Sequence, residues 1–196
     1  MLNADRDEVF ISELAMKVPE NIMATRLFDT TQLKVDYDKL SPVAQTLVAP
    51  PFLMGTLTED KDQQAEVLVI GLGGSQINNF IHHKYPKVHF LNLNMTVIEL
   101  EQSMVDIAKE YFGLKVDDTQ HVFVMDGIKY LEDAAKQGRK FDAIYIDVCP
   151  TRFPEGIMIM CPIPPLLEDE VIRHIRQCLK DTGIILNYLN ILPSFL

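Results

Sequence analysis

No apolar run in this chain of 196 residues approaches the roughly 20 needed for a bilayer-spanning helix. The start, Met1 to Glu8, is polar and acidic and does not read as a targeting segment. A soluble, cytoplasmic protein without membrane contact is the expectation. Basic residues are the scarcer charge, 18 Lys and Arg against 28 Asp and Glu, for a formal net charge of -10 and a pI near 4.9. A surface so short of cations lacks the clustered basic face that holds phosphate backbones, which argues against a nucleic-acid partner. Cysteine is rare as well. Cys149, Cys161 and Cys178 form an odd set without CxxC spacing, so neither a disulfide framework nor a zinc site is suggested and reduced core thiols are expected. The adjacent His82 and His83 would point to different sides of a helix, which makes joint metal coordination awkward; both read as surface residues, and no metal is expected. Internal repeats and low-complexity stretches are absent.

The composition, 47% hydrophobic and 23% charged, suits a globular chain with one substantial core. A polar run, Thr58 to Gln64, marks a boundary near Lys61. Residues 1–60 read as an N-terminal cap: a small hairpin across Asn21 to Tyr37, then a helix over Ser41 to Leu57 interrupted at Pro50-Pro51. Residues 61–196 change character, with apolar runs alternating with amphipathic stretches as in βαβ units around a buried parallel sheet. Strands are predicted at Val67 to Ile70, Met95 to Leu100, Val122 to Met125, Ala143 to Asp147 and Ile184 to Leu189. Helices are predicted at Ile77 to His83, Gln102 to Phe112, Ile128 to Gln137 and Leu167 to Leu179. The fold class is α/β, a Rossmann-like doubly wound parallel sheet.

The chemistry concentrates where strands end. Val67 to Ile70 runs into Gly71-Leu72-Gly73-Gly74-Ser75 and a helix start, where backbone N–H groups gather and a carboxylate or phosphate would be at home. A side chain at Gly71 or Gly73 would block close approach of a ligand to the backbone. Alone, GxGG is also satisfied by a turn that merely packs helix on strand. Three acidic residues close later strands: Glu99, able to accept both hydroxyl protons of a ribose; Asp126, followed by Gly127, able to accept from an exocyclic adenine amine; and Asp147. Each is by itself also consistent with a helix cap or a solvated loop charge. Met54, Met158 and Met160 read as core filler or adaptable surface, and Arg152, Phe153, Pro154 and Gly156 as a loop after the fourth strand with either a binding role or none.

Together these residues resemble the class I S-adenosylmethionine-dependent methyltransferases, and within them the spermidine-synthase-like branch. The likeness runs from about Tyr37 to Asn190. Through Val67 to Gly74 (VLVIGLGG), Val97 to Glu101 (VIELE), Ala108 to Gly113 (AKEYFG), Met125-Asp126-Gly127, and Cys161-Pro162 with Pro164-Pro165, it is similar to the eukaryotic enzymes that methylate lysines and the N-terminus of elongation factor 1-alpha. The resemblance implies S-adenosyl-L-methionine as cofactor, with Gly71, Gly73 and Gly74 along its methionine part, Glu99 on the ribose, Asp126 and Gly127 near the adenine, and Asp147 as the catalytic residue beside the transferred methyl. It implies a protein substrate, elongation factor 1-alpha, and leaves room for a homo-oligomer. An aminopropyltransferase and a non-catalytic, cofactor-binding interaction module are the alternatives; a nicotinamide dehydrogenase would have no use for Asp126-Gly127 or the later proline-rich loop. Three departures stand out. Val88 to Asn92 looks inserted, which leaves a second register that would put Asn92 or Asn94 at the ribose position. Cys149-Pro150 replaces the further acidic residue of polyamine enzymes. The chain stops at Leu196, where the family's sheet would continue through a last helix and two antiparallel strands.

Overall fold

The structure, a computed structural model, describes residues 12–19, 29, 33–58, 64–84, 93–150, 159–187 and 190–191. Its centre is a five-stranded parallel sheet formed by β3 (Ala65–Ile70), β4 (Leu93–Glu99), β5 (Gln120–Val124), β6 (Phe141–Ile146) and β8 (Leu179–Asn187), in the order β5-β4-β3-β6-β8. Two short antiparallel ladders stand apart from it, β1 (Met16–Lys17) on β2 (Lys34–Val35) and β7 (Ile159–Cys161) on β9 (Asn190–Ile191).

Covering of both faces explains why the strands read as unbroken apolar runs. With side chains alternating across the pleat, Val67, Val69, Met95, Val97, Ala143 and Tyr145 point into one buried cluster with α1 (Pro42–Leu53), α2 (Gln76–Lys84) and α3 (Gln102–Tyr111). Leu68, Ile70, Ile98, Ile144 and Ile146 point into the other, with α4 (Gly127–Lys136) and α5 (Asp169–Cys178). Among the described residues no helix is long and apolar enough to cross a membrane.

Several expectations need correction. The helix over 41–57 is not interrupted at Pro50-Pro51: α1 runs through both prolines to Leu53. Both lie in its last turn, where Pro51 is buried and the Met54 N–H closes the end on the Pro50 carbonyl at 2.9 Å. The helix expected over 167–179 is a 3-10 turn at Pro164–Leu167 followed by α5. The last strand starts at Leu179 rather than Ile184, because its polar beginning pairs with β6 through a register shift between Phe141 and Ala143, and Lys180 bonds Asp142 at 2.8 Å. His82 is not a surface residue: only 7% exposed, its Nε2 lies 3.0 Å from Asp117. Burial pushes the Asp117 carboxyl up, but hydrogen bonds from Thr119 and the neighbouring His82 outweigh it and hold the group well below the usual Asp range. His83 is exposed and stacks on Tyr37. Cys149 and Cys161 are joined as a disulfide, and only Cys178 is a free, buried thiol. The hairpin expected across Asn21 to Tyr37 lies mostly outside the described residues; within that span Lys34–Val35 pairs antiparallel with Met16–Lys17, upstream of Asn21. Val88 to Asn92, Met158 and Arg152 to Gly156 lie outside the described residues.

Candidate functional site

The register of the sheet builds the site. Ile70 pairs with Ile98 on one side and Ile146 on the other, so Gly71, Glu99 and Asp147 emerge side by side at the carboxyl ends of β3, β4 and β6. Glu99 pairs in turn with Val124, which places Asp126 just beyond the end of β5. Hydrogen bonds carry this alignment one residue past the strands: the N–H groups of Gly71, Met125 and Asp147 donate to the carbonyls of Ile98, Glu99 and Ile70, each at 2.9 Å. Chain direction around the sheet reverses between β3 and β6, the topological switch point at which open α/β sheets bind ligands. The same register puts Asn94 opposite Glu66 at the far end of the strands, where its Nδ2 donates to the Glu66 carboxylate at 3.0 Å. This removes Asn94 from the crevice.

Glu99 is nearly buried, 9% exposed. The Leu72 N–H donates to Oε2 and the Glu101 N–H to Oε1, both at 3.0 Å. One carboxylate thus ties the glycine turn to the end of β4, and each oxygen keeps an acceptor site for a second donor such as a vicinal diol. Leu100, predicted as the last residue of the strand, instead turns outward and is 63% exposed, an apolar surface next to that carboxylate.

The turn itself is built on Gly71, whose φ of 90° is closed to most side chains. A Cβ there would collide with the Asp147 carbonyl oxygen and approach the Val148 Cγ2 at 3.1 Å. Gly74 packs as tightly against Ser12 and the Phe112 ring, and a Cβ on Gly127, the first residue of α4, would sit 2.6 Å from Ile70 Cγ2. Asp126 caps α4, its Oδ1 accepting from Ile128 N–H at 2.7 Å and Lys129 N–H at 3.3 Å. The cap therefore accounts for one oxygen, and the carboxylate remains exposed beside the crevice. Asp147 opens to solvent at the mouth of the crevice, yet the protein packed around it removes enough hydration to raise its pKa above the ordinary Asp value. Among the described residues no group of three or more His, Cys, Asp or Glu could hold a metal.

Ser75 has no role in the sequence reading beyond closing the glycine stretch. In the structure it is fully buried, holds a positive φ of 61°, and its Oγ has no hydrogen-bond partner. Such strain clusters at binding sites. Ser75→Gly removes both the left-handed strain and the orphan hydroxyl, so the variant is expected to gain about 1 kcal/mol in urea denaturation. An unchanged or lower midpoint contradicts this account of the turn. Ser12 and Glu13 were equally invisible: they reach the turn from far upstream, where Gln76 Nε2 donates to the Glu13 carbonyl and Gln76 Oε1 accepts from Ser41 N–H at 3.2 Å and Ser41 Oγ at 2.9 Å.

A parallel doubly wound sheet with acidic residues at successive strand ends around a glycine turn defines a Rossmann-like α/β fold. The family model described as the spermine/spermidine synthase domain matches residues 52–189, and the chain belongs to that family. The eEF1A lysine and N-terminal methyltransferase homolog of Drosophila pseudoobscura pseudoobscura is 33% identical over 124 residues, covering 63% of this chain and 17% of that protein. Its human counterpart is 28% identical over 121 residues, covering 60% and 16%. The chain thus spans about a sixth of the length of these curated relatives. The polyamine aminopropyltransferase of Vibrio vulnificus is 26% identical over 134 residues, covering 68% of this chain and 40% of that protein. Among solved structures, human methyltransferase-like protein 13 in complex with SAH superposes with a TM-score of 0.54 at 24% identity, over 73% of this chain and 60% of that one. At that identity the likeness establishes the fold.

Proposed function

We propose that this chain is an S-adenosylmethionine-dependent methyltransferase domain that acts on a protein amine, a lysine or the N-terminus of elongation factor 1-alpha, in the cytoplasm. The observation that carries the reading is the parallel alignment of Gly71, Glu99 and Asp147 at one level of the sheet, with the Glu99 carboxylate locked by two backbone N–H groups. In this reading residues 1–60 cap the cofactor-binding region 61–196. Gly71, Gly73 and Gly74 border the methionine part of S-adenosyl-L-methionine, Glu99 accepts from its ribose hydroxyls, and Asp126 with Gly127 flanks the adenine. The buried Ser75 hydroxyl, which has no hydrogen-bond partner, and the remaining acceptor sites of the Glu99 carboxylate fit a polar ligand lying against the turn. When bound, the cofactor supplies a sulfonium methyl open to in-line displacement. The chain's own task is to align a neutral amine and exclude water. In the same reading Asp147, whose pKa is raised by burial, orients the amine and takes up its proton.

A methyl-transfer assay on elongation factor 1-alpha tests this directly. Asp147→Asn is expected to lower the rate by about 100-fold or more while cofactor affinity stays within a factor of about two. Equal rates in variant and wild type would remove Asp147 from the mechanism. A raised pKa in the folded state also means that the fold favours the protonated carboxyl. That contribution is fully present below the unfolded Asp value and is lost as pH rises through the folded one. Asp147→Asn should therefore melt above the wild type at neutral pH, with the gap closing as pH falls through the carboxylate range. Decarboxylated cofactor with putrescine serves as the comparison arm for aminopropyl transfer, the activity printed in the name of the Vibrio vulnificus relative.

A further inference from the structure

Two residues beyond Asp147, Cys149 is bonded to Cys161 of β7, with their Cα atoms 4.8 Å apart and a sequence separation of 12. We infer that this pair is a reversible thiol–disulfide site on the acceptor side of the crevice, oxidised by a small disulfide of the glutathione class, and that its state sets the rate of methyl transfer without setting cofactor affinity. The inference rests on the methyltransferase reading.

Exposure orders the chemistry. Cys149 is half-buried and Cys161 is 1% exposed. The Cys149 thiolate therefore attacks glutathione disulfide first, forming a mixed disulfide and releasing one glutathione thiolate. The Cys161 thiolate then attacks the Cys149 sulfur and expels the second glutathione. The protein loses two protons and two electrons, and one glutathione disulfide becomes two glutathiones. Cys178 stays out of the exchange: it is fully buried, its Sγ lies 3.7 Å from the Leu131 carbonyl, and burial pushes its thiol pKa up.

The separation of transfer from cofactor binding follows from what holds the segment besides the bond. Asp147 N–H donates to the Ile70 carbonyl at 2.9 Å, Ile163 N–H donates to the Val148 carbonyl at 3.1 Å, and Val148 and Ile163 pack on the same buried cluster. These contacts keep Asp147 and Val148 against Gly71 whether or not the sulfurs are joined. What the bond adds is a restraint on Cys149 itself, two residues beyond Asp147, which it ties to β7.

The test uses the full chain, reduced with dithiothreitol or oxidised with glutathione disulfide, beside Cys149→Ser treated in the same way. Alkylation and intact mass after denaturation should count three free thiols in the reduced wild type and one, Cys178, in the oxidised. S-adenosylmethionine affinity should agree within about two-fold between the states, and transfer to elongation factor 1-alpha should be at least about five-fold slower in the oxidised wild type. Cys149→Ser should transfer at the reduced rate under both treatments. Three thiols surviving oxidation, an oxidised chain as fast as the reduced one, or a Cys149→Ser variant that still slows would each overturn the inference. A lack of cofactor binding in both states defeats the methyltransferase reading and the switch with it, whereas the thiol count reports on the bond alone.

Discussion

Glu99→Ala is expected to abolish measurable S-adenosylmethionine binding, a loss of about 100-fold or more. Glu99 accepts two backbone hydrogen bonds while presenting its remaining acceptor sites to the crevice. Charge-assisted hydrogen bonds contribute about 1.5–3 kcal/mol each, so losing two on the ribose already exceeds the roughly 2.7 kcal/mol of a 100-fold loss. The variant also leaves the Leu72 and Glu101 N–H groups without their partner, and some stability goes with them. Glu99→Gln separates the two effects. Its amide oxygen can serve one of the two N–H groups, but its NH₂ faces the other, donor against donor. Affinity should therefore fall almost as far in Gln as in Ala even though the shape is kept. Calorimetric titration, with circular dichroism to verify folding, reads both, and a Glu99→Gln variant binding like the wild type would take the ribose contact away from this residue.

Gly71→Ala should have the largest effect on stability. A methyl group at φ 90° costs about 1–2 kcal/mol in backbone strain. Its collision with the Asp147 carbonyl is with backbone, which cannot rotate away, and forces the ends of β3 and β6 apart. Overpacking of this kind adds roughly 1–3 kcal/mol, for a total near 3 kcal/mol. Because the strand ends frame the crevice, cofactor affinity should collapse together with the melting temperature. Normal stability in Gly71→Ala would mean that the turn is looser than described.

The parallel sheet was legible because strands buried on both faces leave long apolar runs, and Val67 to Ile70 or Ala143 to Ile146 can hardly be anything else in an alternating pattern. Elements whose formation depends on distant partners were not. The start of β8 carries Lys180, Asp181 and Thr182, a polar sequence that reads as a turn until Asp142 of β6 is seen to hold Lys180. Pro50 and Pro51 read as a break, yet they occupy the last turn of α1. The adjacency of His82 and His83 implied opposite sides but not which one faces inward; that is settled by Asp117, 35 positions away. The same holds for the site. Glu99, Asp126 and Asp147 could be picked out because acidic residues closing apolar runs are visible locally. The disulfide could not, since it needs β7 to fold back so that Ile163 reaches the Val148 carbonyl. Nor could the buried Ser75 hydroxyl, whose solitude is a property of packing rather than of residue type.

Titration of the folded wild-type chain with S-adenosylmethionine in a calorimeter, with NAD as the control ligand, decides whether the crevice at Gly71, Glu99 and Asp147 is a cofactor site. Saturable binding of S-adenosylmethionine at one site per chain, with no heat from NAD, is the expected result. A folded chain that takes up no S-adenosylmethionine, or that binds NAD in its place, would contradict it.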